Sequence, residues 1–468
     1  MTFALDDADA RAVLTAALGG GADFAEVFAE TRRYRSLRLD DNTVQDLTSG
    51  RDRGAGIRVL RGRQTGYAYT NVLTRQGLVE AARVAAAAMR GQARTQVADL
   101  RVVEPGVVHP VERDPLAADR PALVELVTRV NEAARGVDAA VLQVSVGYTD
   151  LLQEVLVVNS DGHRSTDRRV RTRLVAHVVA GRDGNVQTGF EGPGDSVGHE
   201  LFDRHPPEQV GRLAAERAVV MLDAVPAPAG EMTVVLAAGG GGVLFHEACG
   251  HGMEADIAAK DASIYAGKTG ERVGRPILTG IDDGTMLGAW GSFSFDDEGT
   301  PAQRTVLFDA GVCTGAYMSD RIRAAQLGIP RTGNGRRQSY AHLPIPRMTN
   351  SFILPGDADP DEIIASVDHG LYCKSLGGGQ VNTASSDFVF GMTEAYLIER
   401  GEITRPVRGA NLVGDGLKVL GGVDAVGSDF ETRQGYCGKG SQTVPVAFGT
   451  PTLRIDRITV GGTGGTGS

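Results

Sequence analysis

The sequence predicts an α+β protein, with a helix- and strand-containing N-terminal domain followed by a strand-rich, mostly antiparallel C-terminal domain. Alanine-rich stretches with helical spacing are concentrated before residue 225, whereas stretches that alternate apolar and polar residues recur along the whole chain. Glycine, with 63 of 468 residues, is about twice as frequent as in an average protein and indicates many turns and short strands. Helices segregated in this way favour α+β architecture over repeated βαβ winding.

The N-terminal domain contains both kinds of pattern. Helical spacing covers residues 6–18, 75–91, 120–135 and 207–224. Between the first two helices, SLRLDDNTVQDLTSG and GIRVLRGRQTGYAYT predict antiparallel strands, because turn residues stand at their joints. The segments VLQVSVGYTD, QEVLVVNSDG and VRTRLVAHVVAGRDG predict a meander of strands with aspartate–glycine turns.

A change of composition at VPAPAG, residues 225–230, predicts a domain boundary. We therefore predict an N-terminal α+β domain over residues 1–225 and a C-terminal domain over residues 226–468. At the start of the second domain, EMTVVLA predicts a buried strand, AGGGG a tight turn and VLFHEACGH a helix.

The segment GDADPDEIIASVDHG predicts one further helix of the C-terminal domain. Asp359 is a good N-cap, Pro360 suits the first helical position and Glu362 completes a capping box. Gly370 is expected to end this helix, since glycine is common just past a helix terminus.

Charge and hydropathy exclude two classes of partner. The net charge is −10 and the sequence pI is about 5.5, so no overall basic field attracts nucleic acid. No stretch of about 18 apolar residues predicts a membrane span, and MTFALDDADARAVL has no export pattern, so we expect a cytoplasmic protein.

The four cysteines form no CxxC pair and are expected to be reduced.

The stretch FHEACGHGMEAD, which begins at residue 245, carries the candidate chemistry. His246 and His251 are five positions apart, which separates them by about 140° on a regular helix and would prevent both from reaching one ion. A π-bulge restores two such rings to nearly one face, and bulges of this kind occur at functional sites. Gly250 and Gly252 flank His251, where a helix distorts most easily. The pattern predicts a metal site on a locally widened helix.

A catalytic metal site needs a third protein ligand beside the two histidines. Candidates within the motif are Cys249, Glu254 and Asp256, and a distant candidate is Cys437 in GYCGKGSQ. Spacing alone does not choose among them. Cys249 precedes His251 by two positions and is expected to be a small buried thiol, whereas Cys437 is expected in a loop.

HEACGHGMEAD resembles the HExxxH motif of the TldD/PmbA family of metalloproteases, in the metal-bearing TldD-type subunit. The segments GADFAEVFAETRRYRSLRL and GAGIRVLRGRQTGYAYT resemble the family's N-terminal domain. Three later segments resemble successive blocks of its C-terminal domain: RTGNGRRQSYAHLPIPRMTNSFILPGD, GGGQVNTASSDFVFGMTEAYLIERGEIT and GANLVGDGLKVL. The resemblance covers nearly the whole chain. It implies His246, His251 and Cys437 as metal ligands and Glu247 as general base, while Cys249 stands where a small apolar residue is expected.

The resemblance implies a metallopeptidase that holds one Zn²⁺ or another divalent ion and cleaves short or unfolded peptides in a closed chamber. Nitrogen and sulfur ligands suit zinc. The family also processes modified-peptide precursors and works as a dimer, so the implied partners are a peptide substrate and either a metal-free relative or a second copy. The N-terminal domain would serve dimerisation and the chamber, and the C-terminal domain would carry the metallopeptidase site.

Two other functions stay open at the level of the sequence. One is a non-catalytic peptide-binding or regulatory subunit whose metal is structural, and the other is an amide or C–N hydrolase that acts on a small molecule. The basic run RTGNGRRQ, with Arg331, Arg336 and Arg337, is typical of a solvated loop. The alternative role of this run is to bind a carboxylate of the substrate.

Overall fold

The computed structural model describes residues 5–89, 91–92, 96–382 and 384–462, and its fold is α+β, as predicted. The N-terminal part contains the helices α1 (Asp7–Leu18), α2 (Arg75–Ala86), α3 (Arg120–Arg135), α4 (Leu201–Arg204) and α5 (Pro207–Val220), with 3₁₀ turns at Pro115–Ala117 and Met221–Asp223. Its strands are β1 (Phe24–Asp40), β2 (Thr43–Arg61), β3 (Gln64–Thr70), β4 (Arg101–Val102), β5 (Val141–Asn159), β6 (His163–Arg182), β7 (Asn185–Glu191) and β8 (Gly194–Asp195).

From residue 225 onward, strands dominate. They are β9 (Val225–Pro226), β10 (Gly230–Leu236), β11 (Gly280–Asp283), β12 (Arg304–Asp309), β13 (Val312–Cys313), β14 (Gly335–Arg336), β15 (Ile345–Pro346), β16 (Asn350–Ile353), β17 (His369–Val381), β18 (Asp387–Glu399), β19 (Glu402–Arg408), β20 (Asn411–Asp415), β21 (Val423–Val426), β22 (Glu431–Lys439), β23 (Gln442–Thr450) and β24 (Leu453–Gly461). The helices are short: α6 (Gly242–Phe245), α7 (Ala255–Ala258), α8 (Arg321–Leu327), α9 (Pro360–Ala365) and α10 (Gly416–Gly422). A π-helical turn, His246–Gly250, and a 3₁₀ turn, His251–Met253, connect α6 to α7.

The first sheet has two chemically different faces. Its strands follow the order β3-β2-β1-β5-β6-β4, and β7 and β8 also pair with β6. One face buries apolar side chains such as Val27 and Leu174 against α1, α2, α3 and α5. Because side chains alternate along a strand, the opposite face carries Glu26, Arg58 and Arg169. This polar face meets the C-terminal part of the chain.

Two further sheets enclose the core of the C-terminal part. One has the order β17-β10-β24-β20-β18-β19-β9, and the other has the order β13-β12-β11-β16-β23-β22, which places β22 at an edge. Side chains from both sheets and from residues 245–253 share one apolar cluster. The segment that contains the two histidines is therefore fixed between two sheets.

Several predicted elements need correction. VLQVSVGYTD and QEVLVVNSDG form one unbroken strand, β5, because the intervening leucines keep the alternation and pair with β1. The helix expected to end at Gly370 ends at Ala365, since His369 already begins β17. Its predicted N-cap is confirmed, because the Asp359 carboxylate accepts a hydrogen bond from the Asp361 amide at 2.8 Å.

Buried ion pairs join the first sheet to the C-terminal part. The Arg58 guanidinium lies 2.8 Å from Glu26 and 2.5 Å from Glu298, and Arg337 lies 2.8 Å from the second oxygen of Glu26. Burial alone would raise the pKa of Glu26, but Arg58 and Arg337 outweigh it and lower that pKa. The predicted solvated loop is therefore wrong for Arg336 and Arg337, which are buried, although Arg331 is exposed.

No helix of the described residues combines the length and the apolar composition that crossing a bilayer requires.

Replacing Arg58 with Met should destabilise the protein by about 3–5 kcal/mol, because Glu298 would lose its pair inside the protein. The measurement is the free energy of unfolding in urea. Arg33→Met, at an exposed position of β1, is the control and should change that energy by about 0.5 kcal/mol or less. Equal effects of the two substitutions would contradict a stabilising role for the buried pair.

Candidate metal centre

The predicted widening of the helix is present in the structure. Residues His246–Gly250 form a π-helical turn between α6 and a 3₁₀ turn. The ring centroids of His246 and His251 lie 5.2 Å apart, with their planes at 82°. Five-residue spacing therefore brings both imidazoles to one side of the chain.

Gly250 serves this turn in a different way from the one predicted. Its φ of −57° is helical, so the position does not need the conformational freedom of glycine. A Cβ atom at residue 250 would instead lie 2.2 Å from the Sδ atom of Met348. Glycine is required here because it leaves room for the close approach of Met348.

Cys437 reaches the two histidines from a strand, not from the predicted loop. It belongs to β22, at the edge of the sheet, and its Sγ atom lies 3.4 Å from Nε2 of His251. The potential ligand atoms of His246, His251 and Cys437 all lie within 4.8 Å of one another, and the three residues are buried. This arrangement of two nitrogens and one sulfur could hold a metal ion.

Hydrogen bonds orient both imidazoles. Nδ1 of His246 lies 3.1 Å from the Ser351 hydroxyl, and Nδ1 of His251 lies 2.8 Å from a carboxylate oxygen of Glu254. Each ring therefore keeps Nε2 available for the centre of the group. Fixing the outer nitrogen of a ligating histidine in this way sets its tautomer and raises its basicity.

Glu254 is itself fixed by a second charge. Its carboxylate lies 3.0 Å from the Lys439 ammonium, which also lies 2.8 Å from Asp256. Burial opposes ionisation, but Lys439 and His251 outweigh it and lower the pKa of Glu254 to about 2. Glu254 and Asp256, which the sequence offered as ligands, pair with Lys439 and do not belong to the group of three potential ligands. The three-residue spacing from His251 to Glu254 was the available signal for this contact.

The two thiols near the motif differ in ionisation. Burial opposes charge at Cys437, but His246 and His251 outweigh it and lower the pKa of its thiol to about 4. Burial raises the pKa of the Cys249 thiol to about 12. Cys249 also packs in the apolar core, which confirms it as a small buried thiol.

Glu247 is the solvent-accessible member of the site. Its side chain is 29% exposed, and one carboxylate oxygen lies 3.6 Å from Nε2 of His251. A carboxylate beside the ligand nitrogens and open to solvent can exchange protons with a water molecule there. The geometry places the predicted general base next to the predicted ligands.

Arg347 fixes the strand that supplies the sulfur. This fully buried residue donates hydrogen bonds to the main-chain carbonyls of Cys437 and Gln442, the latter at 3.2 Å. The hairpin of β22 and β23 is therefore tied to the segment that precedes β16. No corresponding signal existed in the sequence, because residues 347 and 437 are far apart in the chain.

A large cavity elsewhere in the described part of the chain does not mark this site. It has a volume of about 880 Å³ and lies between the two parts of the chain, where Arg217, Lys374 and Arg433 are among its lining residues. None of His246, Glu247, His251 and Cys437 lines it. Donor chemistry, rather than volume, identifies the candidate centre.

Three models of one protein family match this chain. The first domain of the PmbA/TldA metallopeptidases matches residues 25–89, the central domain matches residues 113–222 and the C-terminal domain matches residues 229–462.

Named relatives cover almost the whole chain. The Metalloprotease TldD homolog of Haemophilus influenzae is 40% identical over 456 residues, which are 94% of this chain and 93% of that protein. A metalloprotease of Methanothermobacter thermautotrophicus is 37% identical over 94% of this chain and 96% of its own length. The Zinc metalloprotease TldD homolog of Saccharolobus solfataricus is 26% identical over 94% of this chain and 97% of its own.

Solved structures share the fold at lower identity. A proposed modulator of DNA gyrase from Bacteroides thetaiotaomicron is 21% identical, with a TM-score of 0.78 over 98% of this chain and 100% of that one. TldE from Thermococcus kodakarensis is 19% identical, with a TM-score of 0.74 over 94% of this chain and 97% of that one.

Glu254→Gln should weaken the binding of added Zn²⁺ by about 10- to 100-fold, because His251 would lose its charged hydrogen-bond partner. Competition with a chelator of known affinity measures the change. Glu208→Gln is the matched control, since Glu208 pairs with Arg129 in the N-terminal part of the chain. Unchanged zinc affinity in Glu254→Gln would show that this carboxylate does not support the ligand.

Proposed function

Because the chain belongs to the PmbA/TldA metallopeptidase family, we propose that it is a zinc-dependent peptidase that cleaves short or unfolded peptides, including precursors of modified peptides. The observation that carries this proposal is the convergence of His246, His251 and Cys437 beside Glu247. Two imidazoles and an ionised thiol fit Zn²⁺, and another divalent ion is the alternative.

The residues of the site divide the chemistry between them. When bound, such an ion supplies Lewis acidity for a peptide carbonyl and lowers the pKa of a water molecule. Glu247 takes the proton of the attacking water and passes it to the leaving amine. Cys437 contributes a negative charge, so this site depends more on Glu247 for proton removal than a site of three neutral histidines would.

We propose that the peptide binds in an extended conformation along β22. This strand lies at a sheet edge and carries both Cys437 and Tyr436, which is 56% exposed. An added strand is held by main-chain hydrogen bonds, which depend little on the peptide's side chains. This mode suits short and unfolded substrates.

We also propose that the protein works together with a partner subunit. The family resemblance favours a dimer with a metal-free relative or with a second copy, and the N-terminal part would contribute to the dimer and to the chamber. Nucleic acid is not a proposed partner. Cytoplasmic localisation stays a prediction from the sequence.

The ligand geometry favours catalysis over a purely structural metal. A structural zinc is closed by four protein ligands. Here Glu254, one of the candidate ligands within the motif, is engaged by His251 and Lys439. The group of three ligands leaves a coordination position for water or substrate. A peptide-library digest beside small amide substrates separates peptidase activity from small-molecule hydrolysis.

Replacing Glu247 with Gln should leave zinc bound and lower peptide cleavage by about 100-fold or more, because the proton acceptor is lost while the ligands remain. Elemental analysis and a peptide-library digest of the same preparation test both halves of this expectation. Turnover at the parent rate would rule out Glu247 as the general base.

Replacing Cys437 with Ser should remove most of the bound zinc, because a serine hydroxyl is a far weaker ligand than a thiolate. Elemental analysis of the purified variant measures the loss. Cys249→Ala is the matched control and should retain zinc, since that thiol lies in the apolar core. Zinc loss in the control alone would transfer the ligand role to Cys249.

A further inference from the structure

Within the described part of the chain, two arginines on the polar face of the first sheet lack the ion pairs that their neighbours form. Arg169 on β6 lies 2.9 Å from Asp167 and 2.8 Å from Asp297. Two and four positions further along the same face, Arg171 is buried and Arg173 is half-buried. Neither of them forms an ion pair with any residue in the described ranges. The charge compensation of this face therefore stops at Arg169.

Arg171 also differs from other buried arginines in its hydrogen bonds. Arg336 and Arg347, which likewise have no carboxylate partner among the described residues, donate to main-chain carbonyls through their terminal amino groups. Arg171 donates through Nε to the Trp290 carbonyl at 3.0 Å. Its terminal amino groups make no hydrogen bond with the part of the chain that the structure describes.

Further donors without acceptors lie beside Arg171. Among the described residues, neither the Nε atom of Arg173 nor the indole Nε1 atom of Trp290 has a hydrogen-bond partner, and both atoms are buried. Burial lowers the pKa of Arg171 to about 10 and also lowers the pKa of Arg173. These groups are all donors, and two carry positive charge, so an anion would satisfy them.

This group of donors lies next to the strand that carries Cys437. The Tyr436 ring lies 5.8 Å from the Trp290 ring. A Cβ atom at Gly194 would lie 3.0 Å from Cγ of Arg173 and 3.2 Å from Cγ of Gln434, so these two side chains approach the same point. Gln434 and Tyr436 share one face of β22, and Cys437 lies on the other face.

We propose that Arg171, Arg173 and the Trp290 indole form a subsite that binds a carboxylate of the peptide substrate. The inference rests on the proposed function, because it assumes a peptide extended along β22. Side chains of such a peptide alternate between the Cys437 face and the Tyr436 face. A side-chain carboxylate at this subsite therefore belongs to a residue an odd number of positions from the one held at the candidate metal centre.

Two sources can supply this carboxylate: an Asp or Glu side chain, and the carboxyl terminus of the peptide. One set of peptides carries Asp or Glu at each position in turn, with Asn or Gln in matched controls, and all are amidated at the C-terminus. A second set has neutral side chains with a free or an amidated terminus. The measurements are kcat/KM with the zinc-loaded protein and Kd with the Glu247→Gln variant.

One position should prefer the acid over its amide by about 10- to 100-fold in kcat/KM and in Kd, as expected for a charge-assisted hydrogen bond in a buried site. A preference confined to the free terminus would assign the subsite to the terminal carboxylate. Arg173→Met and Arg171→Met should each bring the ratio of acidic to neutral peptide close to one. Arg182→Met, at the exposed end of β6, is the control and should preserve the ratio.

If Arg171→Met does not fold, the Arg173→Met variant provides the test. Arg173 is only half-buried, so its replacement should disturb folding less. Equal kcat/KM and Kd for acid and amide at every position, with no preference for a free terminus, would overturn the subsite. A preference that survives in Arg173→Met would do the same. If the subsite is overturned in this way but neutral peptides are cleaved, the proposed function is retained. Acidic peptides that bind through these arginines but are not cleaved by the zinc-loaded protein in its assembled dimer would instead refute the peptidase and retain the subsite.

Discussion

The candidate site depends on one backbone constraint, which is the π-helical turn at residues 246–250. A regular helix would direct the imidazoles of His246 and His251 to different sides, whereas the turn brings their centroids within 5.2 Å. Wider helical turns are uncommon because their packing is less favourable, so the surroundings must hold this one. The shared apolar cluster of two sheets and the close contact of Gly250 with Met348 provide that support.

A second layer of charges turns this cluster of side chains into an oriented ligand set. Lys439 holds Glu254, Glu254 holds His251, and Arg347 holds the main chain at Cys437. These contacts fix the direction of the donor atoms before any ion arrives, which reduces the reorganisation that binding requires. Residues outside the proposed ligand set would therefore contribute to the metal affinity of this site.

Buried charge also organises the boundary between the two parts of the chain. Ion pairs take the place of hydration for the buried charges at this boundary. Arg58 pairs with Glu26 and Glu298, Arg337 pairs with Glu26, and Arg169 pairs with Asp297. These pairs offset the free energy that each charged group loses when it leaves water. The same sheet face continues beyond Arg169 to Arg171 and Arg173, which form no ion pair with the described residues. The strand β6 therefore runs from the buried ion pairs between the two parts of the chain to the neighbourhood of the candidate site.

The sequence by itself determined the class of fold, the major helices and the two histidines of the candidate site, because hydrophobic periodicity and the motif spacing are local properties of the chain. Cys437 entered the candidate site only through the resemblance to a family, since spacing alone did not choose it. The α3 helix occupies the predicted residues 120–135, and the five-residue spacing of the histidines predicted a widened turn for a shared metal ion. Tertiary structure decided the strand setting of Cys437, the burial of Arg336 and Arg337, and the pairing of Glu254 with Lys439. Each of these depends on contacts between segments far apart in the chain, and local patterns carry no information about which distant charge or strand will lie beside a given residue.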